Sequence, residues 1–196
     1  MEMNEVPAAA RPGRLFPVAA VFYLVLAVAG LAGLSAQRGR LGLALLVDPG
    51  SWGTDLAGGI VLGLALLGLW ALAARLLPAA RRLEHQLRRL LGPVSRGEAL
   101  SLALVSAVGE ELVFRGALQN WLGWPAAALL FALAHVGPGA SMRLWAAWAL
   151  VGGIVLGFWT AGRGALLGAL VAHFLVNAVQ LWRFARNAEP PPGQPD

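Results

Sequence analysis

Neither cysteine nor lysine occurs in this chain of 196 residues, and charged side chains make up only 13% of it. The missing cysteine excludes disulfides, thiolate metal sites and a thiol nucleophile. The shortage of charge, set against 58% hydrophobic residues, excludes the balance of an ordinary soluble domain and makes a lipid bilayer the expected solvent. The 15 basic residues are all arginine and are dispersed among the loops between apolar runs. The formal net charge of +5 therefore reads as membrane topology, not as a nucleic-acid-binding face. With Ala, Leu and Gly dominating the rest, the arginine-only basic set reads as the coding bias of a GC-rich bacterial genome.

What is there is long apolar runs. At about 20 residues per span the chain has room for roughly six spans. They are expected at Leu15 to Ala36, Leu56 to Leu77, Ala99 to Leu122, Ala126 to Val136, Leu144 to Ala161 and Ala165 to Phe184. The first is too long for a signal-peptide core and reads as a retained signal-anchor helix. Leu41 to Val47 is too short to span and is expected at the interface beside Trp52, before the turn signal Asp48-Pro49-Gly50-Ser51. From Arg81 to Leu91, leucines at helical spacing oppose a row of arginines, the pattern of an amphipathic helix on an anionic membrane surface or of a basic topology anchor. With the N-terminus in the cytoplasm, the arginines split 11 inside to 3 outside, leaving Arg115 aside. Both termini are then cytoplasmic in a multi-pass inner-membrane protein. The fourth span opens at Pro125 and closes at Gly137-Pro138-Gly139, short enough to stop before crossing the bilayer.

The fold class expected is all-α: a polytopic transmembrane bundle of about six spans with a polar cavity among the last four. Residues 1–97 read as a two-span region carrying the basic amphipathic helix, 98–186 as a catalytic four-helix core, and 187–196 as a disordered tail.

A charged side chain at the bilayer centre costs roughly 2.5 to 3.5 kcal/mol on insertion scales, so one that persists needs a partner or a function. Glu110, Glu111 and Arg115 lie about 18 Å from Glu98 along their helix; His135 is about 15 Å along its own and His173 about 14 Å along the last. Three segments thus deliver polar groups to one depth. Glu111 and Arg115, four apart, suit an ion pair, and Glu110, turned about 100° away, is left to face a cavity. His173 and Asn177, also four apart, point the same way. Taken singly, each has a structural reading: an ion pair, a packing histidine, an interhelical amide. Together they suit water activation beside an oxyanion site, or, in a transporter or cation-binding protein, a proton relay. Phe131, the eight tryptophans and the small residues Gly152, Gly153, Gly157, Gly164 and Gly168 read as packing and interface anchoring.

Glu110-Glu111-Leu-Val-Phe-Arg115, Phe131-Ala-Leu-Ala-His135 and His173-Phe-Leu-Val-Asn177, in this order and on these helices, resemble the three motifs of the CAAX protease and bacteriocin-processing (Abi) family of intramembrane proteases. The resemblance covers about Ala99 to Phe184. It implies that Glu110 with His135 activates the attacking water, that His173 with Asn177 stabilises the oxyanion, and that Glu111 and Arg115 support the site. It leaves a metal-free glutamate mechanism and a zinc enzyme both open; zinc would be held by Glu110, His135 and His173. The implied substrate is a peptide bond of a membrane-associated protein or peptide.

Overall fold

The computed structural model describes residues 15–38 and 48–186. The interfacial run Leu41 to Val47 and the tail after Asn187 lie outside them. Every regular element among the described residues is helical. In chain order these are α1 (Leu15–Arg38), α2 (Trp52–Leu76), α3 (Pro78–Leu91), α4 (Arg96–Glu111), a π-helix (Leu112–Leu118), α5 (Gln119–Leu122), α6 (Trp124–Ala134), α7 (Ala140–Arg163) and α8 (Leu167–Arg186).

Four of these, at Phe16–Gln37, Trp52–Leu76, Ala140–Arg163 and Leu167–Ala185, are long and apolar enough to cross a membrane. Valines and leucines stand exposed along their outer faces, among them Val18, Leu24 and Val25 on α1 and Leu64 and Leu72 on α2. A face of this kind calls for lipid. The third expected span is one helical path from Arg96 to Leu122, interrupted by the π-helix and ended by Gly123 at φ +80°. The fourth, α6, has 11 residues and runs about 16 Å, roughly half a hydrocarbon core.

Local chemistry sets the boundaries. Asp48 accepts from the Gly50 N–H at 2.9 Å and from the Ser51 hydroxyl, making the turn that its sequence signals before α2. Ser95 and Glu98 form a reciprocal capping box at the start of α4. The helix carrying His135 stops earlier than expected: α6 ends at Ala134 and His135 is its C-cap, at φ −99° and ψ 3°. Pro138 has no N–H to give the Ala134 carbonyl four residues back, and it disfavours helical conformation at Gly137.

The helix α3 does more than lie on a surface. Its Ala80 and Leu83 are buried against Trp70 and Met142, the Trp70 indole donates to Glu84 at 2.8 Å, and Arg81 donates to the Ala74 and Arg75 carbonyls that end α2. At the opposite end of α2, fully buried Asp55 pairs with Arg163 of α7 at 2.7 Å. The α1 helix packs on α4 and the π-helix, closely enough that a Cβ on Gly30 would fall 2.6 Å from the Leu112 carbonyl carbon. The α2 helix lies along α8, and α8 along α4.

Candidate active site

Helix α4 and the π-helix deliver Glu110, Glu111 and Arg115; the end of α6 delivers His135; α8 delivers His173 and Asn177. Glu111 is fully buried. One of its oxygens, Oε1, accepts from Arg115 Nη1 at 2.8 Å and from His173 Nδ1 at 2.7 Å. The Arg115 guanidinium also lies over the Phe131 ring, 4.4 Å from its centroid, which offers the cation a second favourable surface in a dry setting. The expected Glu111–Arg115 pair is present, and it holds the His173 imidazole as well.

The hydrogen bonds assign the imidazole protons. His135 Nδ1 lies 2.7 Å from the Phe131 carbonyl oxygen, which can only accept, so Nδ1 carries the hydrogen. His173 Nδ1 faces an oxygen already paired with Arg115, so it too is the donor. In both neutral rings the Nε2 lone pair is therefore turned inward. There it meets Glu110: Oε2 lies 3.6 Å from His173 Nε2 and 4.0 Å from His135 Nε2. Both separations exceed a direct hydrogen bond and suit a bridging water.

Asn177 donates to the Ser106 hydroxyl at 3.0 Å, and Ser106 in turn donates to the Ala103 carbonyl. This fixes the carboxamide and uses one of its two N–H donors. Ser106 was not singled out by the motifs, though it stands four residues before Glu110 and so on the same helix face.

Glu110, His135, His173 and Asn177 open together into a cavity of about 500 Å³. Its polar floor comes from three helices, with Glu110 on α4, His135 at the end of α6, and His173 and Asn177 on α8. Its walls reach further, and include Tyr23 of α1, Trp70 of α2 and the leucines Leu83, Leu87 and Leu90 of α3. Two residues read as packing also border the site. Trp145 lines the cavity and meets the His135 ring edge-on, with centroids 5.1 Å apart, and Phe131 contacts both the Arg115 guanidinium and the His135 ring. The Trp145 contact is tertiary and has no trace in local spacing, whereas Phe131 and His135 stand four apart, one helical turn.

Glu110, His135 and His173 are donors of the kind zinc takes, and each imidazole has a second partner on Nδ1, as zinc-bound histidines do. Ligands of a tetrahedral zinc stand about 3.4 Å apart. The separations here are wider, and among the described residues no group of three His, Asp or Glu is placed to hold an ion. The spacing, not the chemistry, falls short of a zinc site.

Residues 94–179 match the family described as type II CAAX prenyl endopeptidase Rce1-like. No curated protein and no solved structure is significantly similar to the chain. The matched segment holds all three motifs and leaves out α1, α2 and α3.

Proposed function

From its membership of the CAAX protease family through residues 94–179, we propose that the chain is an intramembrane endopeptidase whose base is Glu110. The observation that carries this reading is the Glu110 carboxylate facing two imidazole lone pairs at 3.6 and 4.0 Å at the floor of the cavity. A water in that gap donates one hydrogen to Glu110 Oε2 and the other to His135 Nε2. As its oxygen attacks the scissile carbonyl carbon, the first hydrogen passes to Glu110 as a proton and the carbonyl electron pair moves onto oxygen.

The oxyanion needs donors. Asn177 keeps one N–H beyond the one given to Ser106. His173, when it takes up a proton, presents Nε2–H, and the Glu111 carboxylate behind Nδ1 offsets the imidazolium charge, the part an aspartate plays in a Ser-His-Asp triad. Collapse of the tetrahedral intermediate breaks the C–N bond, and protonated Glu110 gives its proton to the leaving amine. One water is consumed, and a carboxylic acid and an amine are released. The apolar walls from α1, α2 and α3 suit a peptide presented from the bilayer, and residues 1–97 thus contribute to the substrate cavity around the 98–186 core.

The test is terminus profiling of membranes carrying the wild-type chain or Glu110→Ala at equal abundance. New peptide termini that depend on Glu110 are expected. Proton- or ion-coupled flux in liposomes without new termini would overturn the peptidase in favour of a transporter built on the same groups.

A further inference from the structure

Tyr23 is the chain's only tyrosine, and it stands on α1, outside the segment that matches the protease family. Gly109 lets it in. A Cβ at that position would lie 2.7 Å from the Tyr23 carbonyl oxygen, so α1 and α4 meet backbone to backbone one residue before Glu110. The tyrosine side chain enters the cavity beside Glu110, His135, His173 and Asn177, so that phenol and carboxylate line the same space.

The donors around Glu110 are few. Both imidazole Nε2 atoms are acceptors in the neutral rings, Arg115 gives Nη1 to Glu111, and Asn177 gives one N–H to Ser106 and keeps the other for the oxyanion. Two acceptor nitrogens give the facing carboxylate no preferred orientation. A phenol beside it can only improve this by donating. Packing does not explain the hydroxyl either, since a hydroxyl in a largely apolar setting costs free energy unless it is bonded.

We propose that Tyr23 is a positioning residue for the general base: its O–H donates to the Glu110 carboxylate and holds the rotamer that turns Oε2 toward His135 and His173. This rests on the peptidase reading above. The N-terminal helix, outside the motif-bearing core, thereby supplies a group on which the chemistry depends.

Tyr23→Phe removes the donor and keeps the ring. A hydrogen bond to a charged group is worth enough that kcat is expected to fall about 10- to 100-fold, with KM changed less than about twofold. A residue that only shaped the cavity would move KM instead. Because no other tyrosine is present, 3-fluorotyrosine incorporation places a single fluorine at position 23 and keeps the packing, which covers a Tyr23→Phe chain that fails to accumulate. Its ¹⁹F signal is expected to move on Glu110→Ala and much less on Asn177→Ala. Wild-type kcat in Tyr23→Phe, alongside Glu110-dependent cleavage, would overturn the proposal and leave the peptidase standing, and so would a fluorine signal indifferent to Glu110→Ala. A wild-type chain that cleaves nothing removes the peptidase, and the positioning role with it, while the fluorine signal still decides whether the two side chains touch.

Discussion

His173 Nδ1 lies 2.7 Å from Glu111 Oε1, the same oxygen that Arg115 holds at 2.8 Å. Glu111 therefore has two separable duties: neutralising a buried guanidinium and aiming an imidazole. Removing one partner of a buried pair leaves the other charge uncompensated, at a cost of about 3 to 5 kcal/mol. Glu111→Gln is expected to lose stability on that scale, and Glu111→Gln with Arg115→Met to recover most of it. Cleavage should stay low in both, since neither variant restores the anion behind His173. Thermal unfolding in detergent and turnover per folded molecule read the two duties separately. A double variant that regained activity with stability would refute the second.

A metal version of the site makes a different prediction. The Glu110 to histidine separations of 3.6 and 4.0 Å exceed a ligated set, so purified protein is expected to carry far less than one zinc per chain and to cleave after chelation. One zinc per chain, lost on His173→Ala together with activity, would replace water activation by Glu110 and His135 with activation on the ion.

The cap of α4 gives a pH dependence of stability. Glu98, just outside the apolar run that begins at Ala99, accepts from the Ser95 N–H at 2.8 Å while the Ser95 hydroxyl accepts from the Glu98 N–H at 3.2 Å. The Ser95 backbone bond, and then its side-chain bond, hold the Glu98 carboxyl below its usual range. A depressed carboxylate contributes stability that is full above its unfolded value and is lost as pH falls through the folded one. Ser95→Ala is expected to cost about 1 kcal/mol at neutral pH and to flatten the fall of stability with acid. An unfolding midpoint measured from neutral to acid pH in both chains checks this.

What the sequence made legible was what a helix repeats. Glu111 with Arg115, and His173 with Asn177, share faces because four residues nearly complete a turn; His173 and Asn177 line the cavity, while Glu111 and Arg115 lie buried behind it, joined to it through His173. The π-helix from Leu112 to Leu118 was not legible, since its residues are those of any apolar helix and only the hydrogen-bond register differs. Nor were Tyr23, Trp145 or the leucines of α3, which reach the site through packing between distant segments. Asp55 passed unremarked because its partner, Arg163, is 108 residues away.

That last pair tests whether stability and chemistry separate in this fold. Asp55 is fully buried and Arg163 about one-third exposed, and Arg163 also donates to the Thr54 hydroxyl at 2.8 Å. The pair ties the start of α2 to the end of α7 and touches none of Glu110, His135, His173 or Asn177. Arg163→Gln leaves a buried carboxylate without its cation; the exposure of the guanidinium places the cost toward the low end of the buried-pair range, about 2 to 3 kcal/mol. Asp55→Asn with Arg163→Gln removes both charges and is expected to restore a good part of that loss. In each variant Glu110-dependent turnover per folded molecule should match wild type. A fall in turnover that outlasted the recovery of stability would mean that the α2–α7 tie sets the geometry of the cavity as well as its strength, and the duties of the N-terminal region would then extend beyond its walls.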